Sequence, residues 1–254
     1  MVKVKQIRVS RNVKFFADRM MQKYSLVPYT DQSEPLVMYG IYNEDDYKVY
    51  QDHKAPMIIL WRGTDAKILT EKKAQIILSR SDCRHYAGSR IVKQSLEKWG
   101  IHPEIKPISP TPILKPVPRG NSVYCYICSR NPLMSTKYKY DLLKRIADKL
   151  PYKFIFTEQK NHTFERLQEV YRQCFVGVRL LDHDGMSNTI LEMGMMGRRT
   201  ISNSGLPHAI SWKGIKDIQV SINREYKNRK RPDWKIIGKD YQNLINIGDS
   251  WLEL

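Results

Sequence analysis

Two carboxylates stand eight residues apart in Asp184-Gly185-Met186-Ser187-Asn188-Thr189-Ile190-Leu191-Glu192, and Met193-Gly194-Met195-Met196-Gly197 follows. The run before them, Cys174-Phe175-Val176-Gly177-Val178-Arg179-Leu180-Leu181, is apolar and reads as a buried strand. Strand, glycine-containing turn and helix N-terminus, in that order, hold phosphates in α/β proteins. The first amides of the helix lack backbone acceptors and carry the positive end of its dipole. With Ser187 as N-cap, Glu192 falls on the second turn. At about 100° per residue, Ile190, Leu191, Gly194 and Gly197 cluster on one side, and Glu192 points nearly opposite Ile190 and Gly194. Gly194 weakens a helix, which predicts close packing on the sheet there, and Glu192 is left to face a cleft. An acidic acceptor for sugar hydroxyls beside an anion-accepting helix end suits a nucleotide sugar. The same residues also fit an ordinary βα unit with a capping serine and a solvated Glu192, and this segment alone does not separate the two readings.

A second group of polar residues, Arg130-Asn131-Pro132-Leu133-Met134-Ser135-Thr136-Lys137-Tyr138-Lys139-Tyr140, follows a strand expected over 122–128. Cations just after a strand sit at the edge where open α/β sheets bind ligands. In so basic a chain, an ordinary surface loop is the rival reading.

Over residues 174–205, and more diffusely from about 120 onward, the chain resembles the retaining GT-B glycosyltransferases of family four, the glycosyl transferases group 1 set. The shared pattern is an acidic residue, Gly, a hydrophobic stretch, Glu, small residues with Gly, then a strand. Gly197-Arg198-Arg199-Thr200-Ile201-Ser202-Asn203 matches the Gly-Arg-x-hydrophobic continuation. Asp184 stands where Glu is usual. The resemblance implies a metal-independent, hexosyltransferase-type enzyme with no cofactor, whose donor is a nucleotide-diphosphate sugar such as a GDP- or UDP-sugar. Carried over residue by residue, Glu192 accepts from the ribose hydroxyls. Asp184 and the backbone of Gly185, Met186, Ser187 and Asn188 hold the donor sugar, with His183 beside them. Arg130 and Lys137, with Lys139 as the alternative lysine, bind the pyrophosphate and stabilise its charge as it leaves. On the acceptor side the family commonly has a histidine near Trp61-Arg62-Gly63-Thr64-Asp65; Arg62 stands roughly in its place. Gly63, Asp65 and His85 are the other cleft-side candidates, although Asp65 also suits a helix cap.

These residues need a scaffold, and the chain supplies alternating strands and helices. Strands are expected at 4–9, 36–40, 57–61, 74–79 and 104–106, and helices at 12–23, 44–52 and 89–99. Five prolines between Pro107 and Pro118 rule out a helix or a central strand and read as an interdomain linker. Beyond it, strands are expected at 122–128, 152–157, 174–181 and 199–203, and helices at 138–149, 163–173 and 188–196. This order predicts an α/β fold of GT-B architecture, with two doubly wound, Rossmann-like parallel-sheet domains facing a cleft. The expected divisions are a short acceptor domain at 1–112, a donor domain at 113–235, and a C-terminal helix within 236–254 returning to the first domain. The chain is short for this plan, and the shortening falls in the N-terminal half.

Length and composition fit a globular enzyme: 254 residues, 41% hydrophobic and 27% charged. No apolar run approaches the roughly 20 residues of a membrane span, and no signal-peptide core follows Met1, so a cytoplasmic protein is expected. The net charge of +17 calls for an anionic partner. The densest run, Arg224 to Pro232, reads as a solvated loop, or as a patch toward an anionic membrane bearing a lipid-linked acceptor; a glycan or protein acceptor fits equally. No helix-turn-helix, zinc-finger or RRM-like motif supports nucleic acid as the partner. Cys125-Tyr126-Ile127-Cys128 has metal-knuckle spacing but lies on an expected strand, where an odd separation sends the thiols to opposite faces. Buried free thiols are the better expectation.

Overall fold

The computed structural model describes residues 2–128, 131–158, 162–182 and 185–254. Arg130, His183 and Asp184 therefore lie outside the described residues. The chain divides into two compact units, Met1–Pro112 with Ile245–Leu254, and Ile113–Leu244.

The first unit runs β1 (Gln6–Val9), α1 (Ala17–Tyr24), β2 (Val27–Pro28), β3 (Leu36–Tyr39), α2 (Glu44–Asp52), β4 (Met57–Trp61), α3 (Thr64–Lys67), α4 (Glu71–Leu78), β5 (Cys83–Ala87), α5 (Arg90–Glu97) and β6 (Glu104–Ile105). All six strands are parallel, in the order β2-β1-β3-β4-β5-β6. The central strands are apolar at every position because helices cover both faces. Leu36, Met38, Met57, Ile59 and Trp61 enter one core. The intervening Val37, Tyr39, Ile58 and Leu60 enter the other.

Two expectations fail here. Residues 74–79 are not a strand but the end of α4, which Thr70 caps through a bond from Lys73 N–H. Ala74 and Ile77 are buried while Leu78 is exposed, which is helical, not alternating, burial. The strand that pairs with β4 is instead Cys83–Ala87, in which Arg84 and His85 mask the apolar pattern. Asp65 does not cap α3 from the N-cap position, which Gly63 occupies at φ 119°. It lies in the first turn, fully buried, and its carboxylate accepts from the N–H groups of Arg62, Gly63 and Ala66.

The second unit contains β7 (Ser122–Cys128), α6 (Pro132–Lys137), α7 (Tyr140–Ala147), β8 (Lys153–Glu158), α8 (Phe164–Arg172), β9 (Cys174–Val178), α9 (Asn188–Met195), β10 (Arg199–Ile201), α10 (Ile215–Asn228) and α11 (Trp234–Ile245). Its four strands are parallel, in the order β10-β9-β7-β8. The helix expected over 138–149 is α7, which starts at Tyr140 behind Lys139, its N-cap, in a left-handed conformation at φ 54°; the separate helix α6 precedes it. The basic run at 224–232 is not all loop, since Arg224 to Asn228 form the end of α10. The last helix ends at Ile245, and only a short 3-10 turn follows at Ser250–Leu252.

Gly194 packs differently from the expectation. A Cβ there would lie 2.4–2.5 Å from ring carbons of Tyr241, so its missing side chain admits α11, not the sheet. The close approach to the sheet is made by Gly177 of β9, where a Cβ would meet Met193 Sδ at 2.5 Å. Helix α9 is thus wedged between β9 and α11, with Ile190 to Met195 all buried.

Both of these local packings are testable. Gly194→Ala gains helix propensity but forces Tyr241 to move, and a net loss of about 1–3 kcal/mol is expected by urea denaturation. Burial pushes the Asp65 carboxyl up to about 6, against the N–H donors and Arg62, which lower it. A carboxyl with a raised folded-state value binds its proton more tightly in the folded chain. Its contribution is therefore greatest below about pH 4 and falls by about 3 kcal/mol as pH rises to about 6. The stability margin of the native chain over Asp65→Asn should shrink by that amount between about pH 4 and pH 7. An unchanged margin would show that Asp65 does not titrate in this window.

Candidate functional site

In the second unit the order β8-β7-β9-β10 places a topological switch between β7 and β9, where the chain leaves the sheet in opposite directions and a crevice opens at the carboxyl ends. The segments leaving those two ends are the ones singled out by sequence, 129–140 and 179–192. Helix α9 starts at this edge. Ser187 is its N-cap by position, but its hydroxyl makes no capping bond to the helix amides. Gly185, Ser187 and Asn188 are half-buried, and Met186 is buried.

Glu192 is neither solvated nor open, being only 4% exposed. Its carboxylate accepts from Tyr171 Oη at 2.9 Å. Tyr171 also meets Tyr124 edge-on at 5.0 Å between ring centroids. Thr157 Oγ1 donates to Tyr124 Oη at 2.6 Å. A carboxylate can only accept, so the Tyr171 proton is committed to Glu192. All four residues are buried, and the two hydrogen-bonded pairs meet at the edge-on tyrosine rings. Burial and the adjacent Glu192 charge hold Tyr171 well above the usual phenol range. Sequence reasoning passed over Tyr124, Tyr171 and Thr157 because tyrosines in a strand or helix read as ordinary core.

Of the expected pyrophosphate cations, Arg130 lies outside the described residues, as do Asp184 and His183. Lys137 is exposed at the end of α6. Lys139 is half-buried, with its Nζ 3.0 Å from Asp182 Oδ1 and 5.7 Å from the centre of the Trp212 ring. The left-handed turn at Lys139 directs the chain so that this lysine, not Lys137, reaches the loop before α9. Arg179, which immediately follows β9, was given no role from sequence. Its guanidinium lies against two rings, 4.8 Å from the centre of Tyr126 and 5.2 Å from that of Tyr138. This double stacking fixes a positive charge at the switch-point edge.

In the first unit the corresponding switch lies between β1 and β3. Ser10, which follows β1, donates to Asp46 Oδ2 at 2.6 Å, and Asp46 also accepts from Tyr42 and Asn43 N–H. Asn43 donates to Asn12 Oδ1 at 3.0 Å. This polar cluster sits where β1 and β3 part, and the sequence reading missed it. Arg62 Nη1 donates to Ile108 O at 2.8 Å, with its guanidinium 4.6 Å from the Tyr39 ring centre. His85 lies further along the sheet on β5. Its Nδ1 accepts from Trp61 Nε1–H at 3.2 Å, and burial pushes its value down to about 4, so it is neutral at neutral pH. Gly63 and Asp65 form the buried turn between β4 and α3.

The thiols of Cys125 and Cys174 are free and buried, and burial raises both, Cys174 to about 12. Among the described residues no group of three or more His, Cys, Asp or Glu side chains is arranged to hold a metal ion, and no helix is long and apolar enough to cross a membrane.

No family model matches the sequence, and no curated protein matches it. Solved structures do match. The chain is similar to a sucrose-phosphate synthase from Thermosynechococcus elongatus at a TM-score of 0.59 and 13% identity, covering 96% of this chain and 77% of that one. It is also similar to a Glycosylation Associate Protein complex from Streptococcus agalactiae at a TM-score of 0.50 and 11% identity, covering 88% of this chain and 53%, about half, of that one. At these identities the likeness establishes the fold: an α/β chain with two parallel sheets, in the GT-B plan of two Rossmann-like units.

Proposed function

We propose that this protein is a glycosyltransferase that moves a sugar from a nucleotide-diphosphate sugar, such as a GDP- or UDP-sugar, to an acceptor hydroxyl with retention of configuration. The observation that carries the reading is the placement of α9. It starts at a parallel-sheet switch point, its N-cap hydroxyl is not engaged with its own amides, and its Glu192 is oriented by Tyr171.

In this reading Glu192, oriented by Tyr171, accepts from the ribose hydroxyls. Asp184 and the backbone of Gly185 to Ser187 hold the donor sugar. The bond between the anomeric carbon and the β-phosphate oxygen breaks, and the acceptor oxygen bonds the same face of that carbon. The acceptor proton passes to the departing phosphate oxygen, so no protein base is required. Negative charge grows on the diphosphate, and the α9 amides, Arg130, Arg179 and Lys139 or Lys137 stabilise it without a metal. The acceptor is a glycan, a lipid-linked sugar or a protein, and an anionic membrane surface suits the basic character of the second unit.

A GT-B fold that binds a nucleotide sugar without turnover is the second reading. It is favoured by the Lys139–Asp182 pair, which engages a cation otherwise available to the diphosphate.

Calorimetric titration with GDP-, UDP-, ADP- and dTDP-sugars, with and without EDTA, tests the site. One donor should bind in the micromolar-to-millimolar range, unaffected by EDTA. Glu192→Gln keeps an acceptor for Tyr171, so it should fold normally yet bind at least tenfold more weakly, about 1.4 kcal/mol. Arg179→Gln should weaken binding of the free nucleoside diphosphate by a similar factor. If no nucleotide sugar binds, or Glu192→Gln binds like the native chain, the assignment is wrong. Binding without release of nucleoside diphosphate in the presence of acceptors would select the silent reading.

A further inference from the structure

The second unit also contains a cavity of about 330 Å³. Arg199, the first residue of β10, lines it, so it lies at the N-terminal end of the parallel sheet, opposite the edge from which α9 starts. Arg224 and Glu225 from the end of α10, Arg231 and Asp233 from the turn before α11, and His208 complete its charged wall.

The wall is built in two layers. Arg199 forms its floor and is held at both terminal nitrogens, Nη1 by Glu225 at 3.2 Å and Nη2 by Asp233 at 3.1 Å. Asp233 is further engaged by the buried Arg119 at 3.0 Å. Arg224 forms the rim and, among the described residues, pairs only with the already shared Glu225, at 3.6 Å. Arg231 is exposed and forms no ion pair among the described residues. His208 is turned to Asp240, at 2.7 Å. Four guanidinium groups therefore face two carboxylates, and the excess sits on the two outer arginines. A rigid floor with two unsaturated guanidinium groups at its mouth suits a phosphate, which takes bidentate, charge-assisted bonds from arginine. The volume is at the lower end for ligand pockets, with room for a phosphate and a small attached group. Lys227, Lys230, Lys235 and Lys239 are exposed on the same stretch of chain, and they add a field that attracts anions of either soluble or lipid origin.

We propose that this cavity binds the phosphate group of a phosphorylated small molecule or lipid headgroup, with Arg224 and Arg231 as the gripping residues and Arg199 as the floor. The inference does not depend on the donor site being correctly assigned.

Titration with inorganic phosphate at low ionic strength, against chloride as control, tests it. The native chain should bind saturably. The double variant Arg224→Gln/Arg231→Gln should bind at least tenfold more weakly, while Lys72→Gln, exposed on α4 of the first unit, should bind as the native chain does. Both rim arginines are exposed, so circular dichroism and the thermal midpoint of the double variant should match the native chain. Independently of any variant, phosphate should protect Arg231 from phenylglyoxal. Sedimentation with vesicles of phosphatidylcholine containing phosphatidic acid or, at matched charge, phosphatidylserine identifies the source. A phosphatidic acid preference lost in the double variant supports the site with a lipid headgroup as ligand. Saturable phosphate binding without vesicle binding supports it with a soluble ligand. Non-saturable binding, lack of protection at Arg231, or affinity lost in Lys72→Gln but kept in the double variant would overturn it.

Discussion

The second unit depends on a helix being admitted to a space that ordinary side chains would close. Helix α9 carries no charge other than Glu192, and it lies against β9 on one side and α11 on the other. Gly177 makes the first approach possible and Gly194 the second. Each is a place where a Cβ would enter within 2.6 Å of a neighbouring atom, well inside any real contact. Because the helix is clamped from both sides, its N-terminal end is fixed relative to the carboxyl ends of β7 and β9. Glu192 is fixed with it, beside the buried hydroxyl of Tyr171. A carboxylate so deeply placed would be costly without a donor, and Tyr171 supplies one. The clamp and the Tyr171 hydrogen bond together hold the Glu192 carboxylate in one place.

The segment behind α9 shows how the same region is tied together. Arg198 is fully buried and donates to six backbone carbonyls, those of Tyr171, Cys174, Val117, Met196, Pro118 and Arg172. Its charge meets no carboxylate among these partners, and burial lowers it to about 10. The carbonyls come from the end of α8, the start of β9, the C-cap of α9 and the proline-rich segment. One guanidinium therefore satisfies acceptors that converge where no regular ladder reaches them. The arginine that strengthened the family resemblance in sequence acts here as an internal tie rather than as a ligand contact.

The sequence was most legible where burial is simplest. β4 and α2 occupy the expected residues because an unbroken apolar run and an Asn43 capping box leave little choice. Legibility fails where tertiary context overrides local pattern. Ile76-Ile77-Leu78 resembles a strand until Thr70 starts a helix and leaves Leu78 in solvent. Cys83–Ala87 hides as a strand because only its last two residues are buried. At the candidate site, the residue types at 184–192 and 130–139 pointed to the carboxyl ends of two neighbouring strands, since position after a strand is a local property. The stacking of Arg179 between Tyr126 and Tyr138 was not readable, because it joins residues from β7, the C-cap of α6 and the position after β9. The buried partner of Glu192 was hidden for the same reason: Tyr171 lies 21 positions away on a different helix.

The positive charge takes on a different meaning once it is placed. The second unit holds 24 basic and 12 acidic residues, against 19 and 14 in the first, so most of the net excess belongs to it. Part of that excess is internal. Arg198 and Arg119 have buried side chains, and Arg199 is pinned between two carboxylates. Those arginines are structural: Arg119 and Arg199 are paired with carboxylates, and the hydrogen-bond donors of Arg198 are committed to carbonyls. The remainder is outward, and helical spacing sorts the two kinds within one run: on α10, Glu225 turns inward to hold Arg199, while Arg224 and Lys227 turn out. A charge count from sequence cannot separate the holding cations from the attracting ones, whereas the helix phase does.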